Sequence, residues 1–244
     1  MGDALPTMVL DAGTGFTRLR DVLGGEPFRG TVLLTHLHWD HTQGLPFLPN
    51  ADRPDAQVSL RLPAPPDGMP AEALLARAMS PPHFPIRPSE LRGSWTFDGI
   101  EPGTFEVEGY RVTAAEVAHK GGRTYGYRVE GDTGSFCYLP DHAPAIATPE
   151  LLASARQLAD GVDVLFHDSQ FWGEGERPIA DLFGHATVDD AIGLAASAHV
   201  GRLVLIHHAP IRTDAQLDAL VLPAATIPVT IGREGDEVPI GLSG

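Results

Sequence analysis

The stretch Thr31–Pro46, TVLLTHLHWDHTQGLP, places His36, His38, Asp40 and His41 within six residues. The apolar, β-branched run GTVLLTHLH reads as a strand buried on both faces that ends at this cluster. Residues two apart at a strand end point the same way, so the His36 and His38 imidazoles can reach one ion. Asp40 and His41 follow in the loop, where the chain can turn them toward a neighbouring ion. Neutral imidazole together with carboxylate suits Zn²⁺, Mn²⁺ or Fe²⁺.

Working outward, the chain has 244 residues and is 43% hydrophobic, enough to bury a sizeable core. One domain spanning 1–244 is expected, with an embedded insertion at about 48–99. Seventeen basic against 32 acidic residues give a formal net charge of −15. Such a field repels polyanions and argues against a broad grip on long nucleic acid, which needs several Lys/Arg–phosphate contacts. A small phosphate ester drawn in by local metal charge stays compatible. The single cysteine, Cys137 in GSFCYLP, allows no disulfide framework and no cysteine-based zinc site, and reads as a small buried hydrophobe. No apolar run is long enough to span a bilayer, and the first residues lack the basic-then-apolar layout of a signal peptide; a cytoplasmic location is expected, with no membrane partner.

MVLDAGTG reads as a short strand ending in a Gly-rich turn. The segment 48–99 is rich in proline and reads as an ordered lid with one short helical piece near Ala71–Met79, packed through Phe84, Ile86, Trp95 and Phe97. Strands resume at YRVTAAEVAH, TYGYRVE and GSFCYLPD, the last two joined by a hairpin turn in EGDTGS. A helix begins after Thr148, with Pro149 and Glu150 in its first turn, and stops at Gly161. VDVLFHD is a strand. ATVDDAIGLAASAHVG is a helix with Thr187 as N-cap, Asp190 at the capping-box position and an Ala191, Leu194, Ala195, Ala198 stripe. RLVLIHHAP is a strand ending in a histidine pair, and TDAQLDALV a last short helix.

The order His36-x-His38-x-Asp40-His41 after an apolar strand, then His119 after AAEVA, Asp141 in YLPDHAP and His207 in RLVLIHHAP, resembles the metallo-β-lactamase superfamily. The resemblance runs from about Met8 to Asp214. It implies an α/β fold, a four-layer αββα sandwich, with a dinuclear site along one sheet edge. Carried over by residue, it implies a first ion on His36, His38 and His119, a second on Asp40, His41 and His207, and Asp141 bridging. The two divalent ions would be zinc, with manganese or iron as alternatives. Asp11 is either a support that fixes a histidine tautomer or a turn carboxylate before Gly13. His207 directly follows the strand and is preferred over His208, which would lie beside the site or face away.

Within the superfamily, DLFGHATVDDAIG resembles the phosphodiesterase branch typified by ribonuclease Z: a His-x-Thr opens a helix, and in VLFHDSQF an acidic residue after the apolar strand, Asp168, supports that histidine. The implied reaction is phosphodiester hydrolysis by a hydroxide bridging two cations, with His185 held by Asp168 to assist the leaving group and Asp40 acting at the metals. Taken alone, His185 could equally solvate the start of its own helix. Asp168 stands where the branch is expected to have Glu. His142 and His167 are read as structural and His199 as a helix C-terminal cation.

Two departures narrow the substrate. Transfer-RNA processing relatives carry a basic arm between the third histidine and the bridging aspartate, where this chain has room for two strands only. With the acidic charge, this favours a small phosphodiester, such as a cyclic nucleotide or related cyclic phosphate. His83 and Phe84 in the lid either present to a base or sugar or pack locally. The chain also reaches Asp11 almost at once, making the expected fold N-terminally short: either a sheet edge is covered by a partner, giving a homodimer, or the start is internal to the gene. The alternatives are a thioesterase or lactonase of the same fold and a tRNA 3′-processing endonuclease.

Overall fold

The structure, a computed structural model, describes residues 5–241. The first four residues, part of the stretch read for a leader, lie outside the described residues. The chain divides into two compact units, one up to Glu101 and one from Pro102.

The first unit holds β1 (Met8–Leu10), α1 (Leu19–Leu23), β2 (Arg29–Leu33), α2 (Trp39–Thr42), β3 (Gln57–Pro63), α3 (Ala71–Leu75) and β4 (Ser94–Ile100). Its sheet runs β1-β2-β3-β4 with every pairing parallel. Parallel neighbours need crossovers, and these carry α1, α2 and α3. Thr31, Val32 and Leu33 of β2 are fully inside, as a strand covered on both faces requires. The core joins Val32, Leu34, Leu60 and Leu62 to Phe16 and Phe28.

The Pro-rich segment 48–99 differs from the expected lid. Two of its stretches are sheet strands, β3 and β4, and only 64–93 is an excursion between them. Val58, Leu60 and Leu62 of β3 are buried and alternate with half-exposed or exposed residues, the period-two signature that the flanking prolines obscured. Trp95 and Phe97 of β4 pack on the core with rings 6.0 Å apart. The helical piece is shorter than the expected 71–79.

The second unit holds β5 (Gly103–Val107), β6 (Tyr110–Val117), β7 (Thr124–Gly131), β8 (Gly134–Leu139), α4 (Pro149–Ala159), β9 (Val164–Asp168), α5 (Arg177–Phe183), α6 (Val188–Ser197), β10 (Arg202–Ile206), α7 (Asp214–Asp218) and β11 (Val229–Ile231). Its mixed sheet runs β11-β10-β9-β8-β7-β6-β5. The Thr148 cap, the Thr187–Asp190 capping box and the end of α4 before Gly161 (φ 65°) are as expected. Ala191, Ala195 and Ala198 form a fully buried small-residue stripe that lets α6 approach α4, Leu165 and Leu203 closely. β5 and α5 were not read from the sequence.

The direction of the strands decides where the second unit puts its chemistry. β6 and β8 are both antiparallel to β7, and β9 and β10 are parallel to β8. All four therefore end on the same side of the sheet. His119, Asp141, Asp168 and His207 sit at or just past those four ends.

Candidate metal centre and its supporting shell

In the first unit the histidine cluster follows β2, and α2 starts directly after His38. The rings of His36 and His38 lie 4.4 Å apart, those of His36 and His41 4.3 Å apart. His41 Nε2 is 3.5 Å from Asp40 Oδ2. His36 and His41 are buried, while Asp40 is exposed.

Asp11 organises this cluster. Its carboxylate accepts the Thr35 backbone N–H at 2.7 Å and the Thr35 hydroxyl at 2.9 Å, and its Oδ2 lies 2.8 Å from His41 Nδ1. The Thr35 hydroxyl, having spent its one proton on Asp11, can only accept from His36 Nδ1 at 3.0 Å. Both histidines are thus held with Nδ1 protonated and Nε2 as the lone-pair nitrogen, the form in which imidazole ligates a metal. Of the two readings open for Asp11, this geometry favours the support. Asp11 adopts φ 60°, a left-handed backbone unusual for a non-glycine residue, and Gly13 beside it has no room for a Cβ, which would fall 2.0 Å from the Asp40 carbonyl oxygen.

In the second unit Asp141 faces two imidazoles, one from each oxygen. Oδ2 is 3.1 Å from His119 Nε2 and Oδ1 is 3.3 Å from His207 Nε2. His119 Nδ1 donates to the Gly184 carbonyl at 2.7 Å, so its Nε2 is again the lone-pair nitrogen. A carboxylate oxygen and an imidazole lone pair at that distance repel unless a cation lies with them, and this donor set fits a divalent ion. The nitrogen and oxygen donors match the expectation from a chain whose one thiol, Cys137, is buried in β8, where burial pushes its pKa far up. His207 also carries a left-handed backbone, φ 56°.

His185 follows the left-handed Gly184 that ends α5. Its Nδ1 is 2.9 Å from Asp168 Oδ2, and its ring stacks on that of His207 with centroids 5.2 Å apart. Asp141, His185 and His207 bring ligand atoms within 4.8 Å of one another. Asp168 is wholly buried and is a hub: it also accepts the backbone N–H groups of His142, Ala186 and Gln170.

The remaining histidines sort by contact. His208 turns away, to the Ser169 hydroxyl at 3.2 Å and the Gly232 carbonyl at 3.1 Å, and burial lowers its pKa. His142 and His167 are buried against each other, Nδ1 to Nε2 at 2.9 Å, and His167 Nδ1 donates to the Asp168 carbonyl at 2.7 Å. Burial, then the neighbouring His167, pushes His142 down to about 3. His199 ends α6, exposed, with φ 54°. Sequence reasoning missed Thr35 and Gly184. Thr35, a hydroxyl set between an apolar strand and a ligand-type histidine, left a faint signal; Gly184, whose carbonyl holds a ring 65 residues away, left none.

Comparison with known proteins agrees with this geometry. Residues 7–208 match the β-lactamase superfamily domain. The chain is 28% identical over 242 residues to the ribonuclease Z of an Exiguobacterium species, covering 82% of this chain and 78% of that protein. Among solved structures, a diphosphatase of the PhnP family superposes with a TM-score of 0.67 at 18% identity, covering 97% of this chain and 81% of the other. The short form of human tRNase Z superposes with a TM-score of 0.65 at 18% identity, covering 96% and 88%. The chain belongs to the metallo-β-lactamase superfamily, on its ribonuclease Z-like branch, and is a metal-dependent hydrolase with the α/β fold of that family: two sheets, one parallel and one mixed, with flanking helices.

Proposed function

We propose that the protein is a dinuclear phosphodiesterase for a small substrate. The first unit would supply His36, His38, Asp40 and His41, and the second His119, Asp141 and His207. The observation that carries the dinuclear reading is Asp141, whose two oxygens each face a different imidazole. Divalent ions, when bound, neutralise a diester and make a water acidic enough to attack near neutral pH.

His185 is the group for the leaving oxygen. Its Nδ1 proton is held by the buried Asp168 carboxylate, which stabilises the imidazolium and points Nε2 outward to donate a proton. The backbone N–H groups of His142, Ala186 and Gln170 keep that carboxylate in place.

Phosphodiester chemistry rather than ester or thioester chemistry is favoured by this His185–Asp168 pair. A tRNA 3′-processing endonuclease is the second reading, favoured by the ribonuclease Z relatives. Against it stand the net charge of −15 and a segment between His119 and Asp141 taken up by β7 and β8. The test is turnover by metal-loaded protein on bis(p-nitrophenyl) phosphate, on 2′,3′- and 3′,5′-cyclic nucleotides and on a precursor tRNA. Turnover of small diesters without tRNA cleavage supports the proposal; tRNA cleavage selects the second reading.

No helix among the described residues is long and apolar enough to cross a membrane.

A further inference from the structure

Trp39 stands between His38 and Asp40, yet it is 71% exposed, and Phe47, in the short 3-10 segment that follows α2, is 59% exposed. Large exposed aromatics placed together mark a surface with something to bind. Here they border a cavity of about 270 Å³ in the first unit, closed by Phe84 and Met79 and reached by Gln43 and His83. Phe47 and Phe84 meet edge to face, centroids 5.8 Å apart, which fixes two flat walls at right angles. Met79 adds a polarisable, adaptable floor.

Its chemistry is specific in one respect. In a chain with 32 acidic and 17 basic residues, no Asp, Glu, Lys or Arg lines this cavity. It is therefore not built for the phosphate, nor as a carboxylate-walled cage for a cation. It offers aromatic faces and a few polar tips to a neutral, flat group. The side chains of Gln43 and His83 make no hydrogen bond to another described residue, so both can meet the polar edge of a ring. The cavity shares a helix with the metal motif: α2 carries the lining residues Trp39 and Thr42 as well as the pair Asp40 and His41, and the Thr42 hydroxyl donates to the His38 carbonyl at 3.1 Å.

We propose that this cavity is the subsite for the base of a nucleotide-type diester: a neutral heteroaromatic ring stacked on Phe84 and bordered by Trp39 and Phe47, with Gln43 and His83 at its edge. The assignment rests on the phosphodiester reading for the reaction but not for the binding. A ring held there would sit one helical turn from the metal motif, with its phosphate leading toward it.

The test begins with metal-free protein. Titration with adenosine and uridine, followed by tryptophan fluorescence, should show saturable quenching, with none from ribose 5-phosphate. A Trp39→Phe variant should lose most of the signal, separating it from Trp95 and Trp172. Phe84→Ala should weaken nucleoside binding roughly five- to a hundredfold, the range expected for one lost base–aromatic stack. Phe84→Leu, which keeps the volume, guards against a folding defect and should weaken binding too. On metal-loaded protein, Phe84→Ala should raise KM for thymidine 5′-p-nitrophenyl phosphate far more than for methyl p-nitrophenyl phosphate. Absence of nucleoside binding at millimolar concentration would overturn the proposal. So would an unchanged KM ratio in both Phe84 variants, or p-nitrophenol binding as tightly as the nucleosides. Nucleoside binding in a wild type that hydrolyses neither diester would keep the base subsite and overturn the diesterase reading.

Discussion

Asp11 Oδ2 lies 2.8 Å from Nδ1 of His41, thirty residues further along the chain, and the same carboxylate reaches His36 through the Thr35 hydroxyl. One buried carboxyl group thus fixes the tautomer of two ligand-type histidines. Asp11→Asn is a clean probe, because asparagine tolerates the left-handed backbone seen at this position. The variant should bind Zn²⁺ about 10–100-fold more weakly than wild type, the usual cost of losing such a partner, as measured by competition with a chromogenic chelator. Unchanged affinity would show Asp11 to be a turn residue only.

His185→Ala should keep the metal content of wild type and lose about 10²–10⁴-fold in kcat on a small diester, the contribution typical of a lost general acid. His185 also lies where it could ligate, with its donor atom near those of Asp141 and His207. Loss of an ion from the variant, read by elemental analysis, would therefore make it a ligand instead.

Asp168→Asn replaces a buried acceptor of several hydrogen bonds by an amide that presents N–H groups to some of the same donors. Leaving such donors unsatisfied costs about 1–3 kcal/mol. Denaturant melts should show at least that loss, together with a fall in kcat of the kind seen for His185→Ala. A variant as stable as wild type would contradict the hub role.

Gly184 (φ 82°) has no room for a side chain: a Cβ would fall 2.6 Å from that of Lys120. Gly184→Ala should lower stability by about 1–3 kcal/mol and loosen the carbonyl that holds His119 Nδ1. Both effects are readable, one as a lower melting temperature and the other as weaker metal retention.

Burial keeps His167 neutral by pushing its pKa below the ordinary value. Unfolded chain then takes up a proton near pH 6.5 that folded chain does not, so this group costs nothing above about pH 6.5 and destabilises increasingly as pH falls. Each such histidine contributes a slope of up to about 1.4 kcal/mol per pH unit. Metal-free wild type should lose stability from pH 6.5 to 5, and His167→Gln should show a shallower dependence over the same window. Parallel curves would mean that His167 charges freely in the fold.

Much of this was legible because the chemistry sits where strands stop. The run before His36, the AAEVA before His119 and the LVLI before His207 each announce a strand end, and a period-two or continuous apolar pattern survives in any context that lacks proline. β3 and β4 did not read as strands because prolines crowd their flanks, although Val58, Leu60 and Leu62 alternate and Trp95 and Phe97 share a face. α5 lies behind the glycines of GEGERP and has too few residues to show a periodic stripe. The sequence named Asp168 as the partner of His185 and left Asp11 open between a histidine support and a turn carboxylate, but not the further groups each one grips. Which atoms they grip is set by long-range packing: Asp168 gathers groups from the loop after β8, from its own strand end and from the start of α6.

The most direct measurement is the metal stoichiometry and diesterase activity of the same reconstituted sample. Dialysed protein would be titrated with Zn²⁺ and, separately, Mn²⁺, and turnover of bis(p-nitrophenyl) phosphate followed at each point. The account predicts activity that rises with the second equivalent bound and an Asp141→Asn variant that retains at most one ion and little activity. Two ions bound with no turnover of any diester, but turnover of a thioester or lactone, would contradict it.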